Sequence, residues 1–377
     1  MKLIYCMASV YNPGGMERVL LNKVSWFAAR DGYKVMVVTT DQQGRPPFYQ
    51  FPENVQMVDL GINYSVDNNR SPIAKITSYF QKRRKHRKVL ADLLMRERAD
   101  VVISLYPSES SFIPKIKDGS KKVLELHLNR YFRLQYGRSG LLGLADRFRS
   151  WQDVRIARKF DKFVVLTKED AGYWGNLPNL EVIPNAAPNI QATSYDSFSR
   201  RVIAVGRLDY QKGFDRLIDA WALIPEGLRE EWTLDIFGQG EWEDMLEDRI
   251  KQLGISSSAK INNPVKDIYD EYSASSFIVM SSHYEGMPMV LLEAMSCGLP
   301  GICFDFKCGP KDIIRDGQNG LIVPEGDVKA LAKAMEKIML DNSLRNRMSE
   351  EALKTCSDYS EERVMERWQK CFKIILE

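Results

Sequence analysis

The stretch Val202–Trp221, VIAVGRLDYQKGFDRLIDAW, joins a short apolar run to an amphipathic segment through a polar turn. The run VIAV favours a buried β-strand, and the segment after the turn predicts a helix because its apolar residues recur at helical spacing. These apolar residues are Phe214, Leu217, Ile218 and Trp221. Arg207 ends the strand, while Lys212 and Gly213 open the helix. Both cations are therefore expected at the carboxyl edge of a parallel sheet, where such sheets bind ligands.

The same alternation of strand and helix patterns runs through the whole chain. Short apolar runs occur at KLIY, KVMVVTT, VVISL, KVLELH and KFVVLT in the first half, and at RVIAVGRL, TLDIFG, SFIVMSS and PGICFD in the second. This alternation is typical of parallel sheets covered by helices. The Pro-, Asn- and Ser-rich segment near Pro188–Ser199 predicts a linker. We therefore expect an α/β fold of two doubly wound, Rossmann-like domains that face each other across a ligand-binding cleft.

Length and composition indicate a soluble globular protein. The 377 residues are 44% hydrophobic and 27% charged, with a formal net charge of +3, which excludes an intrinsically disordered chain. No apolar stretch approaches the roughly 20 residues of a membrane span, and the first apolar run breaks at YNPGG, too early for a signal peptide. The six cysteines form no Cys-x-x-Cys pair, which favours reduced core thiols in a cytoplasmic protein over a disulfide framework or a zinc site.

Two glutamates flank a Gly-Met-Pro turn in Ser281–Asp305, SSHYEGMPMVLLEAMSCGLPGICFD. Pro288 suits the first position of a helix, because its missing N–H would have no partner there. Glu285 is then a loop residue, and Glu293 lies in the second helical turn, about 7.5 Å further along the axis. Carboxylates at this spacing beside a helix start suit a nucleotide sugar, whose hydroxyls lie on both sides of a diphosphate. The alternative is a solvated loop residue and a surface helix residue.

The diphosphate of such a ligand needs several donors, because each hydrogen bond to a charged group contributes only about 1.5–3 kcal/mol. Arg207 and Lys212 can supply side-chain donors, although an ordinary exposed pair of cations is the alternative. The backbone donors would be the N–H groups of Gly286, Met287 and Met289. The chain has no Asp-x-Asp pair to hold a metal ion. We therefore expect cations and N–H dipoles to stabilise the leaving group without a metal or any other cofactor.

Two further features, a pair of glycines and a histidine, lie at the carboxyl ends of predicted strands in the first half. Gly14 and Gly15 lie in the first strand-to-helix turn and let the backbone approach a phosphate or a sugar closely. The full Gly-x-Gly-x-x-Gly spacing of a dinucleotide-binding fold is missing there, which argues against an NAD enzyme. His127 ends the strand KVLELH and is expected to face the cleft, although a lone histidine is often structural. His86 and His283 have less support, and His86 is expected among the charged residues of its helix.

These motifs together resemble the family 4 retaining glycosyltransferases of the GT-B fold, of the bacterial polysaccharide-biosynthesis type. In chain order they are GGME, the H of KVLELH, IPN, GRLDYQKG, the GQG of IFGQGEWEDML, and EGMPMVLLEAMSCGLP, and they span nearly the whole sequence. The resemblance implies an acceptor-binding domain at residues 1–188 and a nucleotide-sugar-binding domain at residues 189–357. It also implies that a helix in residues 358–377 crosses back onto the first domain.

The resemblance also implies roles for individual residues. Arg207 and Lys212 would bind the donor diphosphate, Glu293 the ribose and Glu285 the transferred sugar. The loop that helps Glu285 to contact the sugar would comprise Gly286, Met287, Pro288, Met289 and Val290, and every residue in it except Pro288 has a backbone N–H group to donate. His127 would contact the sugar, and Gly14 and Gly15 would approach the donor phosphate or the acceptor. Two departures from the family pattern are Ala186, where glycine is usual, and Met287, where an aromatic residue is common.

A basic segment, ITSYFQKRRKHRKVLADLLMRER, predicts a helix whose leucines face inward and whose Lys/Arg run points outward. With Arg130 in a following Arg-rich aromatic segment, Arg83, Arg84 and Arg87 are interpreted as a surface for anionic lipid or for a lipid-linked diphosphate. The alternative is a solvated charged face. Nucleic acid is not an expected partner, since the net charge is near neutral and no nucleic-acid-binding module is visible.

The resemblance, together with the absence of an Asp-x-Asp pair, therefore implies a retaining, metal-independent hexosyltransferase. UDP-hexose or UDP-N-acetylhexosamine would be the donor, and a glycan on a polyprenyl diphosphate would be the acceptor, in cell-surface polysaccharide biosynthesis. The enzyme would be cytoplasmic and peripheral at the inner face of the cell membrane. Two alternatives remain open: a nucleotide-sugar epimerase of the same fold, and a non-enzymatic protein that binds anionic lipid or nucleic acid.

Overall fold

The computed structural model describes residues 1–12, 14–69, 71–134, 139–188, 195–196 and 198–377. The chain divides into two compact units. The first unit comprises Met1–Leu166, Ala171–Ile183 and Met365–Glu377, and the second comprises Thr167–Asp170 and Pro184–Val364. Most of the expected linker near Pro188–Ser199 lies outside the described residues, because positions 189–194 and 197 are not among them.

The first unit is built on a seven-stranded sheet. In chain order its elements are β1 (Lys2–Met7), α1 (Gly15–Ala28), β2 (Lys34–Thr39), β3 (Gln56–Asp59), a 3₁₀ helix (Tyr64–Asn69), α2 (Pro72–Glu97), β4 (Val101–Ser104), a 3₁₀ helix (Ile113–Lys115), β5 (Lys121–Leu126), α3 (Gly140–Ala157), β6 (Lys162–Val165), α4 (Lys168–Trp174), whose first residues belong to the second unit, and β7 (Leu180–Val182). The strand order is β3-β2-β1-β4-β5-β6-β7, and every pair is parallel. The order reverses between β1 and β4, which is where such sheets open a ligand crevice.

The second unit has a six-stranded sheet. Its elements are β8 (Arg201–Val205), α5 (Phe214–Ala222), α6 (Glu226–Arg229), β9 (Thr233–Phe237), α7 (Glu243–Gln252), β10 (Ala259–Asn262), α8 (Ile268–Ser273), β11 (Phe277–Met280), α9 (Met289–Ser296), β12 (Gly301–Phe304), α10 (Pro310–Ile313), β13 (Gly320–Val323), α11 (Val328–Leu340) and α12 (Asn342–Asp358). The order β10-β9-β8-β11-β12-β13 is again all parallel. It reverses between β8 and β11, so the two loops that carry the candidate donor ligands leave neighbouring strands. The predicted α/β fold of two Rossmann-like units is confirmed.

The closing helix α13 (Glu361–Leu376) lies within residues 358–377, where a C-terminal helix is expected. From Met365 onward its residues belong to the first unit. There Phe372 packs on Phe27 of α1 with 5.6 Å between ring centroids, and Gln369 Nε2 donates a hydrogen bond to the Tyr33 hydroxyl at 3.2 Å. Trp368 is also buried. The C-terminal segment is therefore part of the core beside α1.

Some expectations require correction. His86 does not lie with the charged residues of α2: it is 1% exposed, its Nδ1 is 3.1 Å from the Tyr64 hydroxyl, and its ring meets Phe112 edge-on. Burial lowers the pKa of His86 to about 4. Pro288 immediately precedes α9 instead of occupying its first position, and β8 ends two residues before Arg207.

All six cysteines are buried and free, as predicted for core thiols. Within the described part of the chain, no helix is both long enough and apolar enough to cross a bilayer.

Candidate active site

In the second unit, the loops after β8 and β11 bring a lysine and a glutamate into contact. Lys212 Nζ lies 2.7 Å from Glu285 Oε1, and both side chains are largely buried. The lysine stem crosses the end of its own strand: a Cβ on Gly206 would lie 2.9 Å from Lys212 Cε. Glycine at this position therefore lets the ammonium group reach the neighbouring loop.

The Glu285 carboxylate has further donors. Ser282 Oγ donates to Glu285 Oε1 at 2.8 Å, and Gln211 Nε2 donates to Glu285 Oε2 at 3.3 Å. Glu285 is 7% exposed, so the alternative of a solvated loop residue is wrong. Because both oxygens accept hydrogen bonds, the carboxylate is held in one orientation at the end of the sheet.

Arg207 lies in the same network but in a different environment. Its Nη2 donates to Gln211 Oε1 at 2.8 Å, and its Nη1 is 3.0 Å from Asp209 Oδ2. The Arg207 side chain is 67% exposed, and an exposed ion pair contributes only about 0–1 kcal/mol. Arg207 can therefore leave Asp209 for a ligand at little cost. Gln211 links Arg207 to Glu285 through its side-chain amide and was not identified from sequence.

Glycines of the GQG motif after β9 hold the Arg207 loop in place. A Cβ on Gly238 would collide with the carbonyl oxygen of Gly206, and one on Gly240 would collide with that of Leu208. The backbone N–H groups of Gly206 and Leu208 donate to Phe237 and Gln239 carbonyls at 3.0 Å. The GQG motif thus acts through backbone contact, with no side chain involved.

The β8 and β11 loops are also joined to each other by backbone contacts. Gly213 has a φ of 58°, and a Cβ there would collide with the Ser281 carbonyl oxygen, so two constraints require glycine at the start of α5. Ser281 Oγ donates to the Lys212 carbonyl at 3.0 Å, and the His283 N–H donates to the Gln211 carbonyl at 2.8 Å. The cations and the carboxylate therefore belong to one rigid assembly.

The loop after Glu285 leads into the start of α9 at Met289, one residue after the predicted start at Pro288. Gly286, Met289 and Val290 are partly exposed, and the first N–H groups of an α-helix have no partner within the helix. Met287 is 6% exposed, and its Sδ accepts the backbone N–H of Asn185 at 3.3 Å. The departure from the family pattern at Met287 thus coincides with a packing contact to the IPN motif.

Glu293 lies in the second turn of α9, as predicted. It is partly exposed, and the Tyr272 hydroxyl donates to its Oε2 at 3.4 Å. Burial raises the pKa of Tyr272 well above its usual value, and the Glu293 charge adds to the effect. The phenol therefore stays protonated and orients the carboxylate of Glu293.

In the first unit, His127 follows β5 directly and belongs to a buried charge cluster. His127 Nε2 lies 3.0 Å from Glu125 Oε1, and Lys23 of α1 pairs with the same oxygen. The Lys23 ammonium lies 4.0 Å from the centre of the Trp368 ring. Burial alone would raise the pKa of Glu125, but Lys23 and His127 outweigh it and lower that pKa to about 2. Glu125 and Lys23 were missed from sequence, although a glutamate inside the apolar run VLEL signals a buried partner.

Gly14 and Gly15 differ in what surrounds them. A Cβ on Gly14 would collide with the Glu17 carboxylate, whereas nothing lies within 4 Å of a Cβ on Gly15. Glu17 is buried in the first turn of α1, and burial raises its pKa. Glu17 was also missed from sequence, and its flexible carboxylate would have to move for a side chain at position 14.

The four arginines interpreted as an acceptor or membrane surface do not share one environment. Arg84 and Arg87 are exposed, as expected for an outward-facing run. Arg83 is half-buried and donates to Ser111 Oγ at 2.9 Å. Arg130 is half-buried, donates to Ser150 Oγ, and lies 4.7 Å from the Trp174 ring centre. The expectation that the whole Lys/Arg run of α2 points outward is wrong for Arg83.

Comparison with known proteins identifies the family. Residues 13–188 match the family model described as Glycosyltransferase Family 4, and residues 190–355 match Glycosyl transferases group 1. The amylovoran biosynthesis glycosyltransferase AmsD of Erwinia amylovora is 36% identical over 218 residues, which cover 55% of this chain and 61% of that protein. A Campylobacter jejuni relative, named as an α-1,4-N-acetyl-D-galactosaminyltransferase acting on a diNAcBac-PP-undecaprenol glycan, is 25% identical over 98% of both chains.

Two solved structures share the fold at low sequence identity. TarM superposes with a TM-score of 0.82 at 14% identity, covering 98% of both chains. Anabaena HepE, solved with UDP and glucose, superposes with a TM-score of 0.73 at 17% identity, covering 99% of both chains. These matches agree with the two parallel sheets and confirm the GT-B fold. Since the two family models together match residues 13–355 almost without a gap, the chain belongs to the family 4 glycosyltransferases.

Proposed function

We propose that this glycosyltransferase moves a sugar from a UDP-sugar to a lipid-linked glycan with retention of anomeric configuration and without a metal ion. The observation that carries the proposal is the 2.7 Å contact between Lys212 Nζ and Glu285 Oε1. In a nucleotide sugar the anomeric carbon is one oxygen away from phosphorus. A cation for the phosphate and a carboxylate for the sugar hydroxyls must therefore be neighbours, as these two groups are.

The cations of the second unit match the charge that develops during transfer. When the bond between the anomeric carbon and the phosphate oxygen breaks, the diphosphate gains negative charge. Preorganised donors aimed at developing charge are the main source of transition-state stabilisation in many enzymes. Lys212, Arg207 and the first N–H groups of α9 would supply those donors, so the residues themselves can replace a metal ion in this role.

The surroundings of Glu285 favour a front-face displacement. A carboxylate nucleophile is most reactive when its charge is unpaired, whereas Glu285 is paired with Lys212 and also accepts hydrogen bonds from Ser282 and Gln211, which lower its nucleophilicity and hold it in place. In the proposed step the acceptor hydroxyl attacks the anomeric carbon on the face from which the diphosphate leaves. Its proton passes to the departing phosphate oxygen. Glu285 orients the sugar, and His127 is proposed to contact it.

The choice of UDP and of a lipid-linked acceptor is supported by relatives. Anabaena HepE was solved with UDP and glucose, and the Campylobacter relative is named for a glycan on diphospho-undecaprenol. Glu293, oriented by Tyr272, is the proposed ribose ligand. Exposed cations beside exposed apolar side chains on α2 support peripheral attachment to an anionic membrane, with the enzyme in the cytoplasm. Nothing in the site or among these relatives favours the epimerase or a non-enzymatic binding protein.

The proposal is tested by assaying nucleoside diphosphate release from a panel of UDP-glucose, UDP-galactose, UDP-N-acetylglucosamine, UDP-N-acetylgalactosamine and GDP-mannose, where UDP or GDP is the product. One UDP-sugar should be turned over, with equal rates in EDTA and in magnesium, and Glu285→Gln should be nearly inactive. NMR of the product should show an α-linkage from an α-linked donor. An inverted product would exclude retention, and the absence of any turnover or binding of a sugar nucleotide would exclude the transferase.

A further inference from the structure

A polar cavity lies within the first unit, at the carboxyl edge of its sheet. It has a volume of about 700 Å³. Its walls come from the residues that follow β2, β4 and β5, including Asp41, Tyr106 and Arg133, and from facing residues of α2 and α3. Ligand sites commonly have volumes of about 300–1,000 Å³ and lie beyond the carboxyl ends of parallel strands. Position and size are therefore those of a ligand site.

The wall of this cavity has more basic than acidic side chains, which favours an anionic ligand. Lys82 Nζ pairs with Asp67 at 2.6 Å, and Arg133 Nε pairs with Asp153 at 2.9 Å. Among the residues that the structure describes, no carboxylate lies within ion-pair distance of the other two cations, Arg83 and Arg149.

Those two arginines differ in how firmly they are held. Arg83 Nη2 instead donates to the neutral Ser111 hydroxyl at 2.9 Å. Arg149 is exposed on α3 at the cavity wall. Two guanidinium groups from different helices thus line one cavity with no described carboxylate in ion-pair distance, since Asp41, the remaining acidic residue of the wall, accepts hydrogen bonds from Ser65. The guanidinium fork matches phosphate geometry.

Aromatic rings line the same cavity. Tyr64 and Tyr79 lie 5.9 Å apart between ring centroids, and Tyr79 is 49% exposed. The Tyr106 hydroxyl donates to Asp153 at 3.0 Å, which fixes the third ring. Ser108, Ser110 and Ser111 add hydroxyl groups. An aromatic face beside hydroxyls suits a sugar ring, which has an apolar C–H face and polar edges.

We propose that this cavity binds a glycosyl phosphate, with the phosphate between Arg83 and Arg149 and the sugar ring along Tyr79. The inference rests on the proposed function, because the lipid-linked acceptor supposed there carries a sugar on a diphosphate.

The rim of the cavity indicates that the phosphate arrives attached to a lipid. On α2 the exposed apolar residues Ile76 and Phe80 flank the cavity residues Tyr79 and Arg83. On α3 an exposed stripe of Leu144, Phe148 and Trp151 flanks Arg149 and Gln152. Apolar side chains beside cations on a helix surface are typical of contact with a membrane interface.

The test is isothermal titration calorimetry with N-acetylglucosamine 1-phosphate. The variants Arg83→Met and Arg149→Met should each bind about 10–100-fold more weakly, because each removes a hydrogen bond to a charged group. The matched controls Arg84→Met and Arg147→Met change neighbouring exposed arginines outside the cavity and should bind within about twofold of wild type. The uncharged methyl glycoside of N-acetylglucosamine should bind much more weakly than the phosphate. Because Arg149 is exposed, its variant is expected to fold even where the Arg83 variant does not.

Several outcomes would overturn the proposal: no binding of the sugar phosphate, equal weakening in the Arg84 and Arg147 controls, or unchanged binding in both cavity variants. UDP titrated into the same variants separates this proposal from the donor site. Normal UDP binding with no sugar-phosphate binding removes the cavity proposal alone, whereas Arg83-dependent sugar-phosphate binding without UDP binding removes the proposed function alone.

Phosphatidylcholine vesicles that contain polyprenyl-diphosphate N-acetylglucosamine test whether the ligand is a lipid-linked or a soluble sugar phosphate. Arg83-dependent binding to these vesicles supports the proposal with the lipid-linked form as ligand. Arg83-dependent binding of only the soluble sugar phosphate also supports the cavity, with a soluble ligand. Vesicle binding that is lost in Arg84→Met but kept in Arg83→Met would contradict insertion of the phosphate into the cavity.

Discussion

The two units place their charged residues by different means. In the second unit, Lys212 and Glu285 sit on adjacent loops, and glycines let the backbones of those loops touch. In the first unit, Lys23 lies on helix α1 and Glu125 lies within strand β5, and their ion pair is almost fully buried. A pair on loops at a sheet edge can exchange its partner for a ligand. A pair in the core mainly fixes its neighbours, here His127.

The largest effect on stability is expected from Glu125→Gln. This change leaves the Lys23 ammonium group buried without a counter-charge, and breaking a buried pair in this way costs about 3–5 kcal/mol of unfolding free energy. Glu97→Gln, which breaks the more exposed pair with Lys2, should cost at most about 1 kcal/mol. Urea unfolding measures both values. Equal losses of unfolding free energy in the two variants would show that the buried pair is no more important for stability than the exposed pair.

The buried pair should also make the unfolding free energy depend on pH. The pKa of Glu125 is lowered from 4.5 to about 2, so the unfolded chain takes up this proton first as the pH falls. The contribution of Glu125 to stability is therefore complete above its unfolded pKa and is lost as the pH falls from about 4.5 to about 2. Wild type should lose more unfolding free energy than Glu125→Gln across that range, and parallel curves would contradict the assignment.

The largest effect on activity is expected from Lys212→Met. Loss of one preorganised donor to a developing charge lowers kcat by about 10²–10³-fold. Arg207→Met should also lower kcat, but the melting temperature should fall only for Lys212→Met, because Arg207 is exposed while Lys212 leaves Glu285 buried without its cation. Steady-state kinetics and thermal unfolding on both variants provide the comparison. A melting temperature unchanged by Lys212→Met would show that the pair is not needed for folding.

A smaller effect is expected from Gly238→Ala. Its new methyl group would meet the Gly206 carbonyl oxygen, so the loop that carries Arg207 must move. Overpacking of this kind costs about 1–3 kcal/mol of unfolding free energy, and UDP affinity should fall with it. Gly227→Ala on α6 is the matched control, because nothing lies within 4 Å of a Cβ there. If the two alanine variants bind UDP equally, the backbone contact does not position Arg207.

The smallest effect is expected on membrane attachment. Arg84→Gln with Arg87→Gln should weaken binding to phosphatidylglycerol vesicles by about 1 kcal/mol per arginine, and added salt should weaken it further. Flotation measures this binding, and Arg83→Gln serves as the comparison because Arg83 faces the cavity. Binding that depends on Arg83 but not on Arg84 and Arg87 would reverse the roles given to these residues.

Sequence patterns predicted the centre of each sheet and missed its edges. The nine predicted runs correspond to β1, β2, β4, β5 and β6 and to β8, β9, β11 and β12, whereas β3, β7, β10 and β13 are the outermost strands of their sheets. A central strand such as β4, VVIS, is buried throughout and reads as a continuous apolar run. The edge strand β3, QMVD, has no fully buried residue, so its composition resembles that of a loop.

In the candidate site, residues within short motifs could be predicted from sequence, whereas residues paired across long distances in the chain could not. Arg207, Lys212, Glu285 and Glu293 could be predicted because they lie in two short motifs, each of which runs from a strand through a loop into a helix. Glu125 and Lys23 are 102 positions apart, and their pairing depends on α1 packing over β5. His86 was misplaced because its neighbours in sequence are charged while its own side chain packs on Phe112. The positions of Lys23, Glu125 and His86 are determined by packing between distant parts of the chain, which the spacing of residues in the sequence does not reveal.

The most direct test of the account is UDP binding measured by calorimetry on wild type, Lys212→Met and Lys354→Met. Lys354 is an exposed lysine of α12 whose ion pair is with Glu351, and it serves as the charge-matched control. Wild type and Lys354→Met should bind UDP equally, and Lys212→Met should bind about 10–100-fold more weakly. Equal UDP affinity in all three proteins, or no UDP binding by wild type, would contradict the account.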